Sequence, residues 1–361
     1  MTFEFSTRRL LREFAYMITV LTRPLLPWKV REVRYSLINL LHRRRGLPPK
    51  RIPVYGGHTA VTRSICQGFA NLGIEFNHDP RCVAEVKPTL VCVCDPRSLI
   101  QAIQWKRQGR IKRLYAGYTL LGTPLERNRL AMSQELDGYL CFSEWHRMSF
   151  DLQCPGFGAK ALISPVGVDE NHWTPDPASR RPKHLLFYKK RAPHGLYQRC
   201  LLRARELGWQ VEEIVYGSYS LTDYLASLRR SALLVNWVDH ETQGISLAEA
   251  WSADVPTLAW NPGFVFQVVS GKGCVFECSS APYLTDATGR FFRDLDGLMA
   301  LLADCAAGKL RFSPRQWVLD NMTDTICARR LYAMITAQPN AHSCFPREAE
   351  TEPQRESLNV S

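Results

Sequence analysis

Residues 231–261 read SALLVNWVDHETQGISLAEAWSADVPTLAWN. The run ALLVNW at 232–237 is short, mostly apolar and β-rich, and predicts a buried strand. A polar loop follows from Asp239 to Gly244. From Ile245 to Ala253 the apolar residues Ile245, Leu247, Ala248, Ala250 and Trp251 recur at helical spacing, and Val255-Pro256 ends that pattern. Residues 257–260 are a second apolar run, so the stretch reads strand, loop, helix, strand, the unit of a parallel α/β sheet. Two carboxylates lie in it, Glu241 in the loop and Glu249 on the helix, with seven residues between them. Gly244 stands where loop becomes helix, a place where a phosphate or ligand backbone can approach closely.

Glu241, Gly244, Glu249, Ala250 and Pro256 together resemble the donor-site signature of retaining glycosyltransferases of the GT-B fold, the family-4 or group 1 type. Those enzymes usually carry Gly two residues before the proline, where this chain has Asp254. A second landmark is Gly167-Val168-Asp169 followed by Trp173 and Pro175, which in the resembled family marks the crossing into the second domain. A third is the strand end at residues 184–195. Relatives carry Gly-Arg and then Lys-Gly there to hold the donor diphosphate. Here Lys189 stands for the arginine and His194-Gly195 for Lys-Gly, with Lys190 and Arg191 as further sources of charge. Gly56-Gly57 before a helix matches the glycine pair that faces the donor from the first domain. Many relatives also place a first-domain histidine in the sugar pocket. Residues 95–124 contain none, so that either Asp95, Tyr115 or Tyr118 lines it or the acceptor chemistry differs, with His58 read as solvent-facing or structural.

The 361 residues suffice for two ordinary α/β domains with extensions, and 45% hydrophobic with 22% charged residues is a globular composition. The net charge of +12 is uneven. Residues 1–50 hold eleven Lys/Arg and three acids, a local +8, which favours anionic partners. Leu10, Phe14, Met17, Ile18 and Leu21 fall on one helical face, and Val30, Val33, Leu37 and Leu41 on a second, before the basic run 42–45. Two readings follow: a basic amphipathic surface on an anionic membrane, or helices packed on the enzyme body. Twelve cysteines without zinc spacing predict reduced, mostly buried thiols of a cytosolic protein. No apolar run reaches bilayer length, and no secretory leader pattern is present. A nucleic-acid binder fits the charge but lacks a recognition motif.

The expected architecture is therefore α/β, two facing Rossmann-like domains (GT-B) with an N-terminal helical extension. The expected divisions are a basic extension over 1–50, an acceptor-side domain over 51–175, a nucleotide-sugar domain with closing helices over 176–336, and a disordered tail over 337–361. The resemblance implies transfer of a sugar from a nucleoside diphosphate to a glycan or lipid-linked acceptor with retention. Glu241 and Lys189 then act at the sugar and leaving group, and Glu249 at the ribose. Gly244, Ile245, Lys190, His194, Gly56 and Gly57 complete the donor site. It implies no metal and no cofactor besides the donor substrate. Asp294-Leu295-Asp296, the one Asp-x-Asp, reads as helix N-terminal charge. The place expected is the cytoplasm, peripheral at the membrane face. Alternatives are a non-catalytic nucleotide- or glycan-binding relative and a nucleotide-sugar epimerase.

Overall fold

The computed structural model describes residues 18–25, 57–190, 194–269 and 272–337. Two parallel sheets carry the fold. The first contains β1 (Ile18–Leu21), β2 (Phe76–His78), β3 (Thr89–Val93), β4 (Arg113–Gly117), β5 (Gly138–Cys141) and β6 (Ala161–Ile163), in the order β2-β1-β3-β4-β5-β6. Helices α1 (Gly57–Asn71), α2 (Pro96–Arg107) and α3 (Glu144–Gln153) connect these strands. The second sheet contains β7 (His184–Lys190), β8 (Gln210–Val215), β9 (Leu233–Val238), β10 (Thr257–Trp260) and β13 (Gly289–Phe292), in the order β13-β10-β9-β7-β8. Its crossovers are α4 (His194–Glu206), α5 (Leu221–Arg230) and α6 (Ile245–Ser252). An antiparallel hairpin, β11 (Phe264–Val269) and β12 (Lys272–Glu277), interrupts the path from β10 to β13. Helices α7 (Leu295–Ala306), α8 (Pro314–Asn321) and α9 (Asp324–Thr336) close the described chain. This is the α/β pair of Rossmann-like sheets expected.

Local sequence accounts for most of these elements. The inner strands β3, β5, β9 and β10 are buried along their whole length, so they read as apolar runs rather than alternations, whereas the edge strands β2 and β8 are partly exposed. Ser220 opens α5 with a full capping box, its hydroxyl accepting from the Asp223 amide while Asp223 accepts from the Ser220 amide. Asp294 caps α7 by accepting from the Gly297 amide at 2.8 Å, the helix-start role expected of it. Thr323 does the same for α9.

The helical extension needs correction. Ile18 and Leu21, placed on a helical face with Leu10, Phe14 and Met17, belong instead to β1, a fully buried strand of the first sheet. β1 pairs in parallel with β2 on one side and β3 on the other. The first sheet therefore begins before residue 51, and Ile18 and Leu21 are not available to a lipid surface. Apart from residues 18–25, the proposed membrane segment lies outside the described residues, as do Gly56 and the tail beyond Ala337.

Two features join the sheets. The crossing segment forms a bridge between Val168 and Thr323, with the Val168 amide donating to Met322 O at 3.0 Å. Helix α9 then returns to the first sheet and lies along α1. The fit is close: a Cβ on Gly68 would sit 2.3 Å from Asp324 O. Arg63 of α1 forms an ion pair with the buried Asp324 carboxylate at the start of α9. That pair is partly buried and hydrogen-bonded twice, so it fixes geometry more than it adds stability.

Candidate active site

The second sheet changes direction at β7, with β8 added on one side and β9 on the other. Open parallel sheets bind ligands beyond the carboxyl ends of the strands at such a switch point. The carboxyl end of β7 is Lys189-Lys190, and the loop leaving β9 runs from Asp239 to Gly244. The sequence motif and the topology thus select the same place.

Neighbouring strand residues point to opposite faces. Lys189 Nζ accordingly lies 4.6 Å from the ring centroid of Tyr197 on α4. Lys190 takes the other direction, and its Nζ lies 2.5 Å from Glu241 Oε1 and 4.7 Å from the centroid of the Tyr216 ring. Both side chains of this pair are largely covered, 16% exposed for Lys190 and 13% for Glu241. The cation set against Glu241 is therefore Lys190.

The loop holding Glu241 is fixed from both sheets. Its amide donates to Ser279 O at 3.0 Å, and its carbonyl accepts from Trp145 Nε1 at 2.9 Å. Ser143 Oγ donates to Thr242 O at 2.6 Å, so this helix-start serine spends its hydroxyl on the neighbouring domain instead of on its own helix. Gln243 is buried and exchanges two bonds with the Val166 backbone, accepting from its amide at 2.9 Å and donating to its carbonyl at 2.6 Å. Each such bond contributes about 1 kcal/mol, and together they hold one loop geometry at the domain boundary.

Gly244 closes the loop with φ +79° and ψ 60° as the residue before α6. That left-handed conformation is costly for a residue with a Cβ, and a Cβ there would lie 3.0 Å from Leu247 Cδ1. Ile245 follows, half-buried against the core of the first sheet. The N-terminal amides of α6 thus open at the junction of the two sheets, with the positive end of the helix dipole toward the Glu241 loop.

Glu249 is 4% exposed, so it is a buried carboxylate and not a solvated helix position. It neighbours a tyrosine cluster. Tyr224 donates its hydroxyl to Ser246 O at 2.8 Å, and Tyr219 donates to the Tyr188 hydroxyl at 3.1 Å. Burial pushes the Tyr219 phenol up to about 12, with the negative charge of Glu249 adding to it. Burial likewise raises Tyr188 and Tyr224. All three stay neutral hydrogen-bonding groups at ordinary pH. Tyr216, on the loop after β8, is half exposed beside Lys190. Tyr216, Tyr219 and Trp145 escaped the sequence reading; three aromatics near strand ends and a helix start were the available signal.

The remaining expected residues divide. His194 and Gly57 are the first residues of α4 and α1, and both therefore stand at helix N-termini. Tyr115 and Tyr118 are buried in the core of the first sheet. Tyr118 is buried with its hydroxyl 2.7 Å from Ser164 Oγ, and Tyr115 donates to Ile335 O at 3.3 Å beneath α9. Asp95 caps α2 by accepting from the Arg97 amide and pairs with the Arg97 guanidinium. Among the described residues, no cluster of His, Cys, Asp and Glu forms a metal-ligand set, and no helix is long and apolar enough to cross a membrane.

No protein-family model matches the sequence, and no curated protein is detectably similar to it. Solved structures do match. Anabaena HepE in complex with UDP and glucose aligns with TM-score 0.51 at 10% identity, over 89% of this chain and 99% of that one. The same protein in complex with UDP aligns with TM-score 0.50 at 10% identity, over the same shares of the two chains. TarM aligns with TM-score 0.50 at 12% identity over 69% of this chain, which spans 55% of TarM. The likeness is one of fold, and the fold is the two-domain GT-B arrangement.

Proposed function

We propose that the chain is a glycosyltransferase that takes a sugar from a nucleoside diphosphate at the carboxyl ends of β7 and β9. The observation that carries this reading is the Glu241–Lys190 pair at the switch point of the second sheet, beside the Gly244 turn and the buried Glu249. The HepE structures, with UDP and glucose bound to the same fold, support the choice of nucleotide sugar as donor.

Each residue then has a chemical task. Glu249 accepts hydrogen bonds from the ribose hydroxyls, each contributing roughly 1.5–3 kcal/mol where the carboxylate is charged. The diphosphate meets Lys190 and the amides at the start of α6, where a leaving group that gains negative charge is stabilised without reorganisation. His194 and the first amides of α4, with Gly57 at the start of α1, complete the anion-facing set. Glu241 holds the hydroxyls of the transferred sugar and stabilises positive charge at its anomeric carbon. Lys189, turned toward Tyr197, contributes field and not contact. Tyr216 offers an exposed ring for the base. In this reading the sugar is transferred with retention, the departing phosphate oxygen assisting deprotonation of the acceptor, with no metal required. The acceptor is a glycan or a lipid-linked acceptor reached from the first domain.

Incubation of the intact protein with a panel of nucleotide sugars, with and without acceptor extract, tests this. Nucleotide release that depends on acceptor and vanishes in Glu241→Gln supports it. A protein that binds nucleoside diphosphates but never releases nucleotide from any sugar donor is a binding relative, and the transferase reading fails. Interconversion of the donor sugar without an acceptor identifies an epimerase instead.

A further inference from the structure

A second site lies along α5, with its arginines at the amino end of the second sheet. A cavity of about 580 Å³ opens between the linker entering β7 and helix α5. Its arginines stand by the amino end of β7, where the His184 amide donates to Arg181 O at 3.1 Å, and the seven residues of β7 span about 20 Å from there to Lys190; the lining continues along α5 to Thr222. Four arginines line the cavity, Arg180 and Arg181 from the linker and Arg229 and Arg230 from the last turn of α5. The one acid among the lining residues is Asp176.

Guanidinium groups remain charged at all ordinary pH, and gathering four of them is unfavourable unless anions offset them. Arg230 is offset by Glu212, its Nε donating to Oε2 at 2.7 Å. The other three form no ion pair among the described residues. Arg180 is held by two neutral oxygens, Asp254 O at 2.6 Å and Ala253 O at 2.9 Å, and its buried Nε has no hydrogen-bond partner. The Asp254 side chain supports its charge from nearby, while burial pushes its pKa down. Arg229 donates to Thr174 O at 3.1 Å and Thr174 Oγ1 at 2.7 Å, again neutral acceptors. Arg181 is exposed at the rim, and its guanidinium has no partner among the described residues. Asp176 is engaged by Ser179 Oγ at 2.6 Å and answers one charge at most. Backbone and hydroxyl oxygens therefore fix the positions of Arg180 and Arg229, while Asp254 and Asp176 act on their charges only from a distance, with no ion pair formed among the described residues.

We propose that this cavity binds a small phosphate monoester as an effector, with Arg181 and Arg229 donating to the phosphate oxygens and Arg180 supplying its buried Nε–H. The fork geometry of guanidinium matches phosphate oxygens in pairs. The volume is that of a small-metabolite pocket, and Thr222 and Ser179 offer hydroxyls to the organic part. Occupation ties the inter-sheet linker to α5. That helix carries Tyr224, whose hydroxyl holds Ser246 O in the first turn of α6, so the effector acts on the donor-side helix through one packed element. Phosphate binding stands on the cavity alone; only the action of the effector on α6 as the donor-side helix rests on the proposed function.

Titration calorimetry at low salt with glycerol 3-phosphate, using the full chain, is combined with hydrogen exchange in the same buffer. Saturable binding is expected, with protection of peptides covering residues 174–183 and 221–231. The double variant Arg181→Gln/Arg229→Gln should bind at least tenfold more weakly. Because Arg229 also anchors Thr174, the single variant Arg181→Gln is the cleaner arm: several-fold weaker binding at unchanged melting temperature. The proposal is overturned by absence of saturable binding, by equal affinity in Arg181→Gln, by an identical response to glycerol, or by protection confined to peptides around residues 189–197 and 239–246.

Discussion

The Lys190–Glu241 pair permits a quantitative test through a double-mutant cycle. At 2.5 Å and an effective dielectric of about 20, the attraction between the two charges is about 7 kcal/mol, and desolvation of two covered ions offsets most of it. Removing one partner keeps the desolvation of the other and loses the attraction. Lys190→Met, which strands Glu241 with 13% exposure, is expected to cost about 3 kcal/mol of stability. Glu241→Gln should cost less, roughly 1–2 kcal/mol, because Lys190 keeps the Tyr216 ring as a partner. The double variant should lose about 2 kcal/mol less than the sum of the singles. Urea denaturation at pH 7 measures all four corners. Losses that add to within about 0.5 kcal/mol would mean that the two charges do not interact. The same proteins separate binding from chemistry. Lys190→Met should weaken nucleoside diphosphate binding by roughly tenfold or more, the loss of one charge-assisted bond. Glu241→Gln should leave that affinity equal or tighter, since Lys190 is released to the phosphates, while turnover collapses. Parallel loss of affinity in both singles would refute the division of roles.

Two further outcomes are expected. His146, buried among Phe142 and Phe150, has its pKa pushed down to about 4 by burial, while the unfolded chain titrates near 6.5. The unfolded state therefore binds more protons between those values, and stability should fall by roughly 3 kcal/mol as pH drops from 6.5 to 4. Comparing the pH dependence of urea unfolding in wild type and His146→Gln checks this, and an unchanged slope in the variant would assign the acid sensitivity elsewhere. Gly244→Ala should destabilise by about 1–2 kcal/mol through its left-handed φ and the Leu247 contact. It should also weaken donor binding by displacing the first amides of α6, read as a rise in the nucleotide Kd; a neutral effect on both would show that the turn is not as drawn.

What was legible in the sequence was whatever local pattern controls. The strand at 257–260 and the helix from Ile245 were found nearly to the residue, because apolar period and the stops at Gly244 and Pro256 are local signals. So was the placement of Glu241 in the loop before that helix and of Glu249 on it. β1 was not legible. Ile18, Thr19 and Val20 are β-branched, yet they sit within a run whose apolar spacing also fits a helix. The strand exists because Phe76–His78 and Thr89–Cys92 flank it, 58 to 71 residues later in the chain. No window of sequence contains those partners.

The choice between Lys189 and Lys190 belongs to the same class. Both are cations at a strand end, and the sequence cannot say which face of the sheet turns toward the β9 loop; the register of β7 against β9 decides it. Burial of Tyr115 and Tyr118, and the grip of Trp145, Ser143 and Val166 on residues 241–243, likewise arise only when the two sheets meet. The sequence by itself determined the residue types, the elements around the donor motif and the α/β class, since these follow from short-range periodicity and backbone preference. The tertiary structure alone decided which charges face each other, which aromatics line the site, and that four arginines far from Glu241 surround one cavity. Those are consequences of packing between segments distant in the chain.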